Sequence, residues 1–373
     1  MKIRKIDTAN RHDVRRFVQF PHQLYQTCPQ WVPLPINDGL AQLNRNGAYF
    51  QHSDADFFIA EEGERMLGRI AVLENNRYNQ AHHTRHAFFY LFEATDDIEV
   101  AQGLFDAAAA WSRARGLDTL IGPKGFSPFD GIGMLYKGFA HHPAMGIPYN
   151  YEYYNPFMTQ LGFQKEIDFT SFYIKIANFD LPDRISRIAE RVKKRNNLRV
   201  KTFRSQRELR RWIPRLVNTY NQIFVNNWEY TPVTSAETEE LAGRMLQIVR
   251  PEHIKFILND QEDLVGFLLV FLDISAALQK TGGKLWPFGW VTLLRSLRNT
   301  TWININGMGI LEKYRGLGAN AILYDEVVKT MRNGRFEHVD LVQMADTVDR
   351  MLADIRTLGA DPYKVHRIYR RSI

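Results

Sequence analysis

Apolar and polar positions follow two spacings along this chain, and the switches between them mark its elements. Residues 1–7 alternate basic and apolar side chains as a strand does, and 10–25 show helical spacing opened by Asn or Asp capping. Residues 55–73 read as a hairpin turning at Gly63, and 86–93 as another strand. A helix over 98–115 carries Leu104, Phe105, Ala108 and Trp111 on one side and ends at Gly116, before a strand closing at 120–123. Past a linker at 178–182 comes a strand at 198–203, then a helix at 205–226 with Ser205 and Glu208 at capping-box spacing. A helix at 235–249, a hairpin over 253–272, a strand at 302–311 and a helix at 319–331 follow. One plan met twice predicts an internal repeat, with domains at 1–178 and 179–373.

Three stretches break the pattern. Prolines 29, 33 and 35 forbid a helix and predict an extended crossing segment pinned by Trp31. Residues 122–154 form a long loop rich in Gly, Pro and Tyr, read either as a wall of an acceptor pocket or as a packed connector. Residues 275–299 interrupt the second copy with a Trp/Phe/Leu face beside Lys284, Arg295 and Arg298. Such a face suits a cover for the junction, the wall of an acyl-chain tunnel, or a membrane surface.

Composition narrows the classes. A chain of 373 residues exceeds one typical core, and 45% hydrophobic with 24% charged residues describes a folded protein. Its first residues never enter an apolar run and no apolar stretch is long enough to span a bilayer, so a cytoplasmic location is expected. The single cysteine, Cys28, excludes an internal disulfide and reads as a small buried hydrophobe. His82-His83 and His141-His142 lack metal-like spacing and are read as surface loop residues, so no metal is expected. The net charge of +7 is concentrated between Arg184 and Arg215, where thirteen Lys/Arg meet two Glu. That stretch reads as the solvated face of two helices, the alternative being a docking surface for an acidic partner such as tRNA.

The most informative stretch is Thr301 to Thr330, where a strand passes through Lys313-Tyr314-Arg315-Gly316-Leu317-Gly318-Ala319 into a helix. Such a turn aims backbone N–H groups and the positive helix end at one point, which favours a phosphate. The alternative is an ordinary glycine-containing turn. It is no P-loop, because GxxxxGK[ST] is absent. Along the strand, alternation puts Asn304 and Asn306 on one face, costly if both were buried without partners.

Arg315-Gly316-Leu317-Gly318-Ala319 resembles the pyrophosphate loop of the GNAT superfamily of acyl-CoA-dependent N-acyltransferases, Arg/Gln-x-x-Gly-x-Gly/Ala, with Asn320 in place of the last Gly/Ala. Residues 153–163, ending Leu161-Gly162-Phe163, resemble the helix end of the same family. The resemblance implies two GNAT-like α/β domains, each a mixed, mostly antiparallel sheet flanked by helices. It implies acetyl-CoA or a longer acyl-CoA as co-substrate and a small-molecule or peptide amine as acceptor. The pantetheine arm would lie on Met308, Gly309 and Ile310, and the pyrophosphate on Arg315, Gly316, Leu317, Gly318, Ala319 and Asn320. Asn304 and Asn306 are the catalytic candidates, with no base assigned. The family's usual tyrosine falls at Ile355 in the second half and Met158 in the first, so it is missing. In the first half the matching loop carries Glu93, Asp96, Asp97 and Glu99 and no glycine, which would repel a pyrophosphate. Other readings are a Fem-like aminoacyl transferase using aminoacyl-tRNA, and an inactive scaffold or CoA sensor.

Overall fold

The computed structural model describes residues 1–179, 183–228, 230–246, 248–315, 317–332, 334–347, 355 and 359–373. In chain order its strands are β1 (Lys2–Lys5), β2 (Asp54–Glu62), β3 (Arg65–Glu74), β4 (His86–Ala94), β5 (Thr119–Gly122), β6 (Met134–Lys137) and β7 (Gln164–Lys175). Then come β8 (Arg199–Lys201), β9 (Ile254–Leu258), β10 (Leu264–Leu272), β11 (Trp302–Ile310), β12 (His338–Ala345) and β13 (Asp361–Ser372).

Two compact units form. The first holds Met1–Thr170, Ile274–Ser296 and Lys364–Ile373, and the second holds Ser171–Asp273 and Leu297–Tyr363. Against the expected division at 178, the inserted segment and the last ten residues go with the first unit. For the last ten residues the cause is pairing: β13 runs antiparallel to β5 from Tyr369↔Gly122 to Ser372↔Thr119.

In the first unit β1 to β4 form an antiparallel meander, and the helix Ile98–Arg113 crosses over to put β5 parallel to β4. That helix is capped by Asp97, whose side chain accepts from the Glu99 N–H, and it buries the expected stripe of Leu104, Phe105, Ala108 and Trp111. The indole of Trp111 donates to buried Asp56 at 2.8 Å, so its polar atom is satisfied inside the core. Asn10 caps the first helix, Arg11–Leu24, which settles between the Asn and Asp caps the sequence allowed.

The second unit repeats the plan. β8 to β11 are antiparallel, and the helix Asn320–Arg332 crosses over to put β12 parallel to β11. Ser205 caps the helix Gln206–Ile223 by accepting from the Glu208 N–H at 3.2 Å, which realises the box spacing. Phe203, Ile223, Phe256 and Phe267 centre the core. The basic stretch becomes the helices Asp183–Arg195 and Gln206–Ile223 about β8, the two-helix form expected. The first of these buries Ala189 and Val192, while Lys193 reaches buried Asp325 and Glu326 at 3.8 and 3.7 Å. Both units are thus mixed, mostly antiparallel sheets with helical crossovers, the fold class the sequence led us to expect.

Candidate functional site

The second unit opens where β11 leaves β12. The parallel ladder runs from Trp302↔His338 to Ile305↔Leu341 and ends there. On its other side β11 stays paired with β10, but the register slips between Leu269 and Val270, whose partners are Gly307 and Ile305. Asn306 is the extra residue of that bulge and is exposed. Asn304, two residues earlier, is 2% exposed. The bulge therefore separates in environment two asparagines that strict alternation had grouped.

On one face of the opening lies an apolar crevice of about 30 Å³, lined by Met308, Leu341, Tyr324, Val327, Val328 and Ile355 among others. Ile355, about where the resemblance would put a tyrosine, takes part as an apolar wall, and Tyr324 supplies an aromatic ring to the same crevice. On the opposite face, as alternation requires of neighbours in a strand, sit Asn304 and Asp340. The Asn304 amide donates to the Asp273 carboxylate at 3.0 Å. Asp340 is 2% exposed, and Tyr363 hydrogen-bonds it. Burial, then the charges of Asp340 and Asp273, hold the Tyr363 phenol far above its ordinary range, so it stays protonated and serves as a donor. Beside them Tyr173, Trp302 and His338 stack, with His338 4.4 Å from Trp302 and its Nδ1 2.7 Å from the Tyr173 hydroxyl. Sequence reading missed Asp273, Asp340 and Tyr363. The alternation of His338-Val339-Asp340-Leu341 was the available signal for β12.

The loop after β11 holds the remaining candidates. Gly318 has φ +81°, a value suited to glycine, and a Cβ there would meet only Val192 and Ile188 side chains at 3.6 and 3.7 Å. Ala319 is fully buried, Asn320 begins the helix, and Leu317 is 47% exposed. Gly316 lies outside the described residues. Arg315 donates to the carbonyls of Ile310 and Ile223 at 3.0 and 3.3 Å, so its guanidinium ties the loop to the end of a neighbouring helix. Gly309 is crowded by the protein itself: a Cβ would come to 2.7 Å from Ile223. Gly307 is the open position, with no atom closer than 3.6 Å to such a Cβ. The strand is thus open beside Gly307 and covered by Ile223 at Gly309.

The first unit has a cavity at the corresponding place. It measures about 120 Å³ and runs from apolar walls of Val18, Pro21, Trp31 and Leu43 to a polar end at Arg69 and Glu93. Leu91, in the β4 segment that lines it, has φ +50°. Glu93 accepts from the hydroxyls of Tyr25 and Tyr154 at 2.5 and 3.3 Å, and Arg69 stands 3.7 Å away. Burial raises the Glu93 carboxyl, and burial lowers the Arg69 guanidinium. Arg69 also donates to the Phe17 carbonyl at 2.7 Å, while its Nε has no partner. Trp31 stacks on Tyr25 at 5.2 Å, the pinning expected of the crossing segment. Gly133, Gly146 and Ile147 to Asn150 bring the Gly-rich loop to the cavity wall. Of the four acids, Glu93 faces this cavity and Asp97 caps a helix. Cys28 is half-buried and free, and no metal-holding group of His, Cys, Asp or Glu occurs among the described residues.

With this geometry in view, the solved structures it resembles define the class. A tandem GNAT protein from the clavulanic acid biosynthesis pathway matches all of this chain and 98% of its own at a TM-score of 0.58, with 11% identity. A GCN5-related N-acetyltransferase from Sphaerobacter thermophilus matches 100% of this chain and 95% of its own at 0.51, with 14% identity. The fold is thus that of a tandem GNAT-like protein. Among curated sequences the chain is 26% identical over 372 residues to Bacterial ceramide synthase of Caulobacter vibrioides, 97% of this chain and 95% of that one. It is 23% identical over 373 residues to Protein YghO of Escherichia coli, 98% and 94% of the two chains. No protein-family model matches.

Proposed function

We propose that the second unit transfers an acyl group from an acyl-CoA thioester to the amine of a lipid acceptor, a long-chain amino alcohol. The observation that carries this reading is the early end of the β11–β12 ladder beside an apolar crevice, with buried carboxylate chemistry on the opposite face. A thioester threaded through that opening has its acyl chain against Met308 and Leu341 and its carbonyl beside the bulge at Asn306. The pantetheine arm enters beside Gly307 and Met308, since Ile223 crowds Gly309, and the loop from Arg315 to Asn320 meets the pyrophosphate at a helix N-terminus. The amine approaches from the face of Asn304, Asp273 and Asp340. Its nitrogen attacks the thioester carbonyl, the N–C bond forms, the C–S bond breaks, and thiolate leaves with CoA. The nitrogen's proton passes to the Asp273/Asp340 carboxylates, directly or through one water. Asn304 keeps Asp273 oriented, and Tyr363 does the same for Asp340.

The likeness to a ceramide synthase along nearly the whole of both chains supports a lipid acceptor, since ceramide is an amide on the amine of a long-chain amino alcohol. Release of free CoA thiol, followed with palmitoyl-CoA and a long-chain amino alcohol, tests the reading. Asp340→Asn is expected to lower turnover by roughly 100-fold with acyl-CoA affinity unchanged, the usual size for loss of a general base. Unchanged turnover in that variant would remove Asp340 from the base assignment. No thiol release with any amine would remove the reaction.

A further inference from the structure

The inserted segment of the first unit has a fixed base and an apolar tip facing outward. At its base the helix Ser275–Thr281 buries Ala277 and Leu278. Gln279 donates to the carbonyls of Pro29 and Trp31 at 2.8 and 2.9 Å. Gly283 packs so tightly on Leu34 that a Cβ would come to 2.4 Å from its carbonyl oxygen, and the Ile36 N–H donates to the Gly283 carbonyl. These contacts seat the segment on the rim of the first unit's cavity, which Trp31, Val32 and Leu34 line.

Beyond Gly283 the apolar side chains turn to solvent. Trp286 and Phe288 are each 80% exposed, and in the following helix, Gly289–Asn299, Val291 is 51% and Leu294 47% exposed while Leu293 is 1% exposed. Single exposed apolar residues are ordinary, but four within nine positions, led by two aromatics, make a patch that needs a partner. Charge decides which partner. Residues 274–299 contain no Asp or Glu, and Lys280 in the helix at the base, Lys284 just before the tip and Arg295 just after it are exposed. Aromatic rings with cations and no anion match an interface of acyl chains beneath negative headgroups.

We propose that the Trp286–Leu294 tip docks the protein on a bilayer containing anionic phospholipid, with Trp286 and Phe288 inserted at the headgroup level and Lys280, Lys284 and Arg295 on the phosphates. Each such cation adds attraction near a negative surface, and the attraction is lost at high salt. The docking rests on this surface and stands apart from the reaction proposed above. Should the lipid acceptor of that reading hold, docking brings the rim at Trp31 and Leu34 to the layer where an amphiphile resides.

Vesicle co-sedimentation tests it, with phosphatidylcholine vesicles beside mixed phosphatidylcholine–phosphatidylglycerol vesicles. Full-length protein is expected to bind the mixed vesicles and be released by salt. The double variant Trp286→Ser/Phe288→Ser is expected to lose roughly tenfold or more of this affinity with an unchanged unfolding midpoint. The triple variant Lys280→Gln/Lys284→Gln/Arg295→Gln is expected to reduce binding to the phosphatidylcholine level. Undiminished binding by a folded double variant would overturn the proposal. So would failure of the wild type to bind either vesicle, which would turn the patch over to a protein partner.

Discussion

His366 shows how a single side chain can fix a property of the whole chain. It is fully buried in β13, its Nε2 lies 3.0 Å from the Pro148 carbonyl, and burial pushes its pKa from 6.5 down to about 4. The folded protein therefore keeps this ring neutral while the unfolded chain takes up a proton below pH 6.5. Its contribution to stability is present above 6.5 and is lost as pH falls toward 4. The shift corresponds to about 3 kcal/mol in all. Denaturant titrations across this window are expected to show His366→Leu with a shallower acid slope than wild type, and equal slopes would refute the assignment. Sequence gave no access to this residue, because its burial follows from a strand pairing hundreds of positions away. Asp273 and Asp340 escaped for the same reason: they meet Asn304 only after three separate strands align. Ser205 marks the contrast, since a cap acts within a few residues of itself and its spacing to Glu208 could be read directly.

Between elements, the determining event is the parting of β11 from β12. Both flanking elements, a strand at 302–311 and a helix at 319–331, were legible from apolar spacing, and the structure places them at Trp302–Ile310 and Asn320–Arg332. The bulge was not, because it is a property of register against β10 rather than of β11 alone. Gly309 marks where the helix Gln206–Ile223 closes on this strand. Gly309→Ala puts a methyl 2.7 Å from the Ile223 Cγ2, and such overpacking typically costs about 1–3 kcal/mol. A double-mutant cycle with Ile223→Ala, read by chemical denaturation, is expected to show the alanine at 309 costing much less once the opposing methyl is gone. An additive cycle would mean that the glycine serves something other than this contact.

For the molecule as a whole, the repeated plan was visible in sequence and the path of the chain between its units was not. β7 begins in the first unit and ends in the second, and β13 does the reverse. The last ten residues are held in the first unit by Lys364 on the His142 carbonyl at 3.0 Å, by Arg367 gripping Asp168 at 2.8 and 3.0 Å, and by the Tyr369 hydroxyl on Asn155 at 2.7 Å. Lys364 is 1% exposed, so that carbonyl is a partner its ammonium needs. Deleting Lys364–Ile373 strips β5 of its antiparallel partner, and the first unit is expected to become protease-sensitive at temperatures where the full chain resists. A fragment of residues 1–178 is expected to share that fault, and its resistance would show that the first unit does not depend on the returning strand.

The proposed reaction requires that the second unit take an acyl-CoA at the end of β11. Calorimetric titration of CoA, acetyl-CoA and palmitoyl-CoA into wild type and Gly318→Trp addresses this most directly, with thermal unfolding of both proteins as the fold control. Saturable binding by the wild type is expected, tightest for the long chain that reaches the apolar crevice, with loss of it in a folded variant whose indole crowds the turn against Val192 and Ile188. Absence of binding by the wild type, or equal binding by the two proteins, would contradict it.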